Sequence, residues 1–326
     1  MQNKHVLVTG ASGFVGSHLV DSLLSLGAQV VGVDNFLTGN KNNLTQALAN
    51  PQFQLLEADA IEEPSSYLTS LGSIQFEYIF HLASPASPPR YQQHPQLTYR
   101  VNSLGTDRLL AFLQKTNPTG RFIFASTSEV YGDPEEHPQK ESYWGHVNPN
   151  GLRSCYDEGK RLGETICGVY HRQFDLDVRI ARIFNTYGPR LDSKDGRIIS
   201  NFITQALAGE KLSVYGDGSQ TRSYCYVADL VQGLIALAVN NGARGQTINL
   251  GNPEEFSVEE TARLVYKAVK GTDQGLELEH RTLPADDPVR RQPDISLANS
   301  LLGFEPQVKF AEGIKQTIAW FRQIVV

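Results

Sequence analysis

A chain of 326 residues, 40% of them hydrophobic and 20% charged, is long enough for one large α/β unit or for two unequal domains that share a core. A net charge of −6 without any long basic block argues against a nucleic-acid partner and against an anionic membrane surface. Cys155, Cys167 and Cys225 are scattered without metal-ligand spacing, no apolar run spans a bilayer and no leader precedes the first strand pattern, so the expectation is a cytoplasmic protein with reduced thiols and no metal.

Residues 6–10 (Val-Leu-Val-Thr-Gly) read as a buried strand. Gly10, Gly13 and Gly16 follow at three-residue spacing, with Phe14 and Val15 between the last two, and a helical pattern then runs to Leu26, with Gly27 placed for a C-cap. Glycines so spaced suit a tight turn, a close backbone approach to a pyrophosphate and packing of helix on strand, while the helix N-terminus offers N–H groups to phosphate. Because glycines also cluster in ordinary turns, the spacing alone is a weak signal. The strand at 29–33 ends in Asp34, near the ~20-residue offset expected of the acid that holds the adenosine ribose hydroxyls. An acid there repels a 2′-phosphate, which predicts NAD rather than NADP; the bland alternative is a turn acid capping a loop.

Residues 35–39, with Asn35, Phe36 and Thr38, are predicted to pass over the adenosine, and a short strand at 52–56 delivers Asp59 and its neighbour Ala60 toward the adenine edge. The strand at 76–80 opens into a proline-stiffened turn of small residues, 81–89, where Leu82 and Ser84 would let backbone pack against the cofactor. His81 at its start reads as a structural histidine. A helical pattern covers 97–115.

The strand at 121–125 runs into Ser126-Thr-Ser-Glu-Val-Tyr-Gly132, so hydroxyls and a carboxylate emerge at a strand's C-terminal end, where ligands sit in a parallel sheet. Tyr156 and Lys160, four apart, share one helix face. A phenol held beside an ammonium has its phenolate favoured and becomes a usable base. The loop 133–153 is expected to be an ordered lid, because Tyr143 and Trp144 would be costly left in water. A strand at 177–184 leads to Asn185; a helix at 198–208, a strand at 211–215, a helix at 231–240 and a strand at 247–251 follow, with Asp229 read as a helix cap. The predicted architecture is α/β: a Rossmann-type doubly wound parallel sheet over 1–185, with 223–250 returning to it, and a smaller interleaved C-terminal substrate domain from 186–222 and 251–326.

The glycine loop, Asp34, the hydroxyl-rich strand end and Tyr-xxx-Lys, in that order, resemble the extended short-chain dehydrogenase/reductases over nearly the whole chain. That superfamily holds sugar-nucleotide epimerases, 4,6-dehydratases, reductases and decarboxylases, so the outcome must be read from the site. A 4,6-dehydratase typically shows Asp-Glu where this chain has Ser128-Glu129, and a 4-epimerase has small residues at both places. One carboxylate preceded by serine resembles the UDP-glucuronate decarboxylases, as do the blocks 81–89, 129–134, 143–149, 155–161, 181–186 and 291–294. Asn150-Gly151-Leu152 departs from that family, whose members often carry a second proline near Gly151.

The resemblance implies NAD-dependent decarboxylation of UDP-glucuronate to UDP-xylose through a UDP-4-keto intermediate, without net redox. In that reaction Tyr156 is the base at the C4 hydroxyl, Lys160 lowers its pKa and holds the nicotinamide ribose, Thr127 and Ser128 hold the C4 oxygen or the tyrosine, and Glu129 positions the ring and acts in protonation through water. Arg291 would engage the substrate carboxylate, Arg153, Asn185 and Arg222 the nucleotide diphosphate, and Ala86 and Tyr91 would lie near the sugar. A strong Arg291–carboxylate pair would slow loss of CO₂ unless it weakened in the transition state. The competing account of Arg291 is a surface ion pair with Asp287 or Asp294, and Arg197, Arg290 and Lys194 read as solvated cations. The family also implies a homodimer through helices near 100–115 and 156–172. The runner-up activities are nucleotide-sugar 4,6-dehydratase and 4-epimerase; an inactive dinucleotide-binding regulator would be expected to have lost Tyr156 or Lys160.

Overall fold

The computed structural model describes residues 1–72, 74–284 and 286–325. Seven strands form one parallel sheet: β1 His5–Thr9, β2 Gln29–Asp34, β3 Phe53–Glu57, β4 Tyr78–His81, β5 Arg121–Thr127, β6 Asp177–Ile183 and β7 Thr247–Leu250. Their order is β7-β6-β5-β4-β1-β2-β3, so the chain winds outward on one side of β1, then crosses back to β4 and winds the other way. The reversal puts a crevice at the C-terminal ends of β1 and β4, the usual ligand position in such sheets. Helices cover both faces, which is why these strands read as near-continuous apolar runs: Val6, Leu7 and Val8 of β1 and Phe122, Ile123 and Phe124 of β5 are fully buried. The helix Val227–Val239 and β7 return to the sheet, β7 pairing with β6 from Thr247↔Ile180 to Leu250↔Ile183.

Outside the sheet, a three-stranded ribbon decides the geometry of the site. Thr221–Ser223 pairs antiparallel with Glu255–Ser257 and parallel with Arg290–Arg291, in a register that sets Arg291 opposite Arg222.

Several expectations need correction. The pattern at 97–115 is not one helix: Pro95–Arg100 and Thr106–Thr116 are joined by a π turn, Val101–Gly105. Within that turn Asn102 donates to Thr98 O and Ser84 Oγ, an alternative partner that periodicity does not report. Asp229 does not cap its own helix; it is buried and accepts the Val308 N–H, tying the helix start to the C-terminal segment. The loop 133–153 is tied down by backbone, His146 N–H to Tyr131 O and Gln139 N–H to Gln292 O, and Tyr143 stacks on Tyr131. Trp144, however, is 89% exposed, so burial of its ring is no part of that order.

Candidate active site

The helix Ser154–Phe174 buries Tyr156, Asp157, Gly159, Lys160, Gly163 and Cys167, a stripe at helical spacing. It lies close on the 95–105 segment because Gly159 and Gly163 carry no side chain: a Cβ on Gly163 would sit 2.6 Å from Asn102 O and 2.4 Å from the Phe124 ring. This contact brings Tyr156 across the C-terminal end of β5. There Tyr156 meets Thr127, whose hydroxyl acts on the phenol, and lies flat against Tyr91 of the helix Pro88–Gln93.

A cleft of about 1100 Å³ runs from the glycine loop to the ribbon. Gly10, Gly13, Phe14, Val15, Gly16, Phe36, Thr38, Leu82 and Ser84 line one end, and Thr127, Ser128, Glu129, Tyr156 and Lys160 the middle. Ala86, Tyr91, Arg153, Asn185, Arg222 and Arg291 line the remainder. Asp34, Asn35, Asp59 and Ala60 border an adjoining pocket that shares Gly10, Gly13, Thr38 and Leu82 with the cleft. The residues predicted for cofactor, substrate and catalysis therefore line these two adjoining spaces.

At the first end, the helix Phe14–Ser25 starts after Gly13 without a side-chain cap, leaving its leading N–H groups for a ligand. A Cβ on Gly16 would lie 1.9 Å from Gly10 O, so the turn closes only with glycine there. Asp34 is buried and accepts the Ser12 N–H at 2.9 Å and the Phe36 N–H at 2.8 Å, and the Ser12 hydroxyl is buried without a partner. Open backbone donors next to a fixed carboxylate fit a dinucleotide: pyrophosphate on the former, ribose hydroxyls on the latter. Asn35 donates to Asp59, fixing that side chain at the edge of the adjoining pocket.

At the other end is a buried ionic cluster. Glu129 accepts from Arg291 through Oε1 and from Arg153 through Oε2. Arg153 also meets Asp287 at 3.3 Å and stands 3.9 Å from Asp157, and Asp287 accepts from Arg222 at 2.9 Å. Arg291 is 3% exposed and faces Glu129, which rules out a surface pair with Asp287 or Asp294. Burial pulls the Glu129 carboxyl up, but Arg291 and Arg153 outweigh it and hold the group at about 2. For Asp157 the same two arginines do not suffice: burial, then Glu129, push it up to about 8 against Arg153 and Arg291, and its Oδ1 has no partner.

One of the cations near Tyr156 is a surprise. Lys160 Nζ donates to Ala125 O at 2.6 Å and lies 5.8 Å from the Tyr156 ring centroid, and burial brings the ammonium down to about 7. Burial raises the Tyr156 phenol to about 12, opposed by the Thr127 hydrogen bond and by the charge of Arg197. Arg197, read from sequence as solvated, lines the cleft and is held by Asp195. The residues missed were Asp157, Arg197 and, as an acceptor for two arginines, Asp287. Only Asp157 left a trace: it follows Arg153 by four, the spacing of helix neighbours. Among the described residues no group of His, Cys, Asp and Glu is placed to hold a metal, and no helix is long and apolar enough to cross a membrane.

Comparison with known proteins matches residues 6–251 to the NAD dependent epimerase/dehydratase family. The chain is 49% identical over 98% of its length to UDP-glucuronic acid decarboxylase 1 of Xenopus tropicalis, covering 72% of that protein. It is 47% identical over 98% of its length to UDP-glucuronic acid decarboxylase 1 of Arabidopsis thaliana, covering 70% of it. Among solved structures, UDP-glucuronic acid 4-epimerase from Bacillus cereus, in complex with UDP-glucuronic acid and NAD, superposes with a TM-score of 0.86 at 29% identity, over 98% of this chain and 99% of that one.

Proposed function

The chain belongs to the NAD dependent epimerase/dehydratase family, and from that membership we propose that it decarboxylates UDP-glucuronate to UDP-xylose, through a UDP-4-keto intermediate and without net redox. The observation that carries this reading is Glu129 with Ser128 before it, held between Arg153 and Arg291 at the sugar end of the cleft. A 4,6-dehydratase would call for a second acid where Ser128 stands, and a 4-epimerase would need no carboxylate there. Relatives at 47–49% identity carry the decarboxylase name, against 29% for the 4-epimerase structure, which also favours decarboxylation.

NAD, when bound, supplies a reversible two-electron acceptor for C4. Tyr156 takes the C4 hydroxyl proton, with Thr127 and Ser128 aligning the oxygen at the end of β5. The charges of Arg197 and Lys160 favour the phenolate against the burial that opposes it. Once C4 is a ketone, the C6 carboxylate is β to it, and CO₂ leaves with the bonding electrons delocalised into the enolate. Arg291 holds the C6 carboxylate, and Arg153, Asn185 and Arg222 hold the nucleotide diphosphate, for which arginine forks are suited. Ala86 and Tyr91 flank the sugar. Residues 1–185 with 223–250 hold the dinucleotide, and 186–222 with 251–326 the sugar nucleotide.

Exposed Tyr99, Leu162, Val169 and Phe174 on adjoining helices support a homodimer, which a Leu162→Glu variant should disrupt in sedimentation. The free thiols support a reducing, cytoplasmic setting. The direct test of the reaction is incubation with UDP-glucuronate and NAD, followed by NMR of the nucleotide sugar. CO₂ and UDP-xylose are expected; neither appearing sinks the reading.

A further inference from the structure

Glu129 stands where the substrate carboxylate is expected to bind. Its two oxygens are taken by Arg291 Nη1 and Arg153 Nη2, and all three side chains border the cleft. Arg291 contributes a single N–H to Glu129; its Nη2 reaches only Gly132 O at 3.3 Å, and its Nε is buried with no partner at all. A guanidinium with a donor to spare is not saturated by Glu129, and a carboxylate that engages it through two N–H groups makes the stronger pair. We propose that the substrate carboxylate takes the place of Glu129 on Arg291, and that the displaced Glu129 takes up from solvent the proton that later reaches C5. The proposal rests on the decarboxylase reading.

The groups facing Glu129 leave it little alternative. Arg153 comes from just before the helix Ser154–Phe174, and Tyr156 and Asp157 from its first turn; Tyr91 and Arg197 face it across the cleft, and Arg222 and Asp287 from the ribbon side. Arg291 is the larger of the two charges that keep Glu129 ionised against its burial. With Arg291 given over to the substrate, a second carboxylate stands beside Glu129, and two like charges in a desolvated space favour a proton on one of them. Burial and the charge of Glu129 already push Asp157 toward its protonated form, which leaves it less able to take up a further proton.

The chemistry needs this proton. When the C5–C6 bond breaks, its electron pair passes into the enolate and CO₂ leaves uncharged, so one proton must be consumed to form the new C5–H bond. Glu129 gives up its proton there, becomes a carboxylate again and returns to Arg291, which CO₂ has just vacated. The same exchange answers how a buried arginine can hold a carboxylate without blocking its loss: Glu129 replaces the departing charge.

The test uses NAD-loaded Tyr156→Phe protein, in which binding occurs without turnover. Calorimetric titration at pH 7 in buffers of different ionisation enthalpy counts protons taken up on binding. UDP-glucuronate should bring about one proton per site, and UDP-xylose, which lacks the carboxylate, none. Adding Glu129→Gln should abolish the uptake with UDP-glucuronate; the contrast between the two nucleotides on the Tyr156→Phe protein stands even if the double variant folds poorly. No uptake, equal uptake with both nucleotides, or uptake persisting without Glu129 overturns the proposal. If the unmodified protein makes no CO₂, the failure belongs to the reaction assigned above instead.

Discussion

Tyr91 lies flat against Tyr156, ring centroids 5.1 Å apart and planes 5° from parallel, with the Tyr91 hydroxyl buried and unpartnered. The stack sets the height of the phenol above the end of β5 and does so without a hydrogen bond. An offset aromatic pair is worth about 0.5–1.5 kcal/mol beyond its buried area. Tyr91→Phe should therefore keep kcat within about twofold, and Tyr91→Ala should lower it by about two- to tenfold, with NAD affinity unchanged in both. Steady-state kinetics with a separate NAD titration checks this; an equal effect of the two substitutions would show that the hydroxyl, not the ring, matters.

The charge of Arg197 lowers the Tyr156 pKa, so removing it should raise that pKa. In Arg197→Gln the rising limb of the pH–rate profile should move to higher pH. Tyr156→Phe should lose about 10²–10⁴ in kcat and bind NAD normally. Retained turnover would remove Tyr156 from its role.

Breaking the Glu129–Arg291 pair leaves a buried charge under-compensated, which costs about 3–5 kcal/mol for a fully buried pair. Arg153 still meets Glu129, so Arg291→Leu should fall at or below the lower end of that range in urea unfolding. Adding Glu129→Gln should recover part of the loss. A double variant no more stable than Arg291→Leu would contradict the coupling.

Asp157 and Glu129 should give opposite pH dependences of stability. The folded-state pKa of Asp157, about 8, lies above the ordinary aspartate value of ~3.9. Its contribution is fully present below about pH 4 and is lost as pH rises toward 8. Asp157→Asn should thus gain stability relative to the unmodified protein as pH rises from about 4 to 8. Glu129, held at about 2, contributes stability that is present above the ordinary glutamate pKa and is lost as pH falls toward 2. Melting curves from pH 3 to 9 on both proteins, with Glu129→Gln as the counterpart, would separate the two slopes.

A Cβ at Gly16 would meet Gly10 O at 1.9 Å, backbone against backbone with no flexible side chain to yield. Gly16→Ala should weaken NAD binding by at least tenfold, or prevent folding of the β1–helix turn altogether. Fluorescence titration of NAD together with circular dichroism distinguishes the two, and unchanged affinity would mean that the loop tolerates displacement.

Much of this molecule is legible in its sequence because strand and helix patterns, the glycine spacing and the four-residue step from Tyr156 to Lys160 are local: backbone geometry turns them directly into faces and turns. The ends of the sheet strands, the turn at Gly10–Gly16 and the buried stripe of the tyrosine helix follow from a few residues each. Which charges meet is a different matter. Glu129 and Arg291 are 162 residues apart and are joined only because Arg290–Arg291 takes its register from Thr221–Ser223. Asp287 bridges Arg153 and Arg222 for the same reason, Lys160 turns to Ala125 O, and Arg197 joins the charges acting on Tyr156. Trp144 stands in solvent although its composition argues for burial, since the loop is ordered by backbone bonds to Tyr131 and Gln292. A side chain's periodicity says which way it points from its own element. Which partner it finds depends on how distant elements register, and in a buried site that partner decides which groups carry charge.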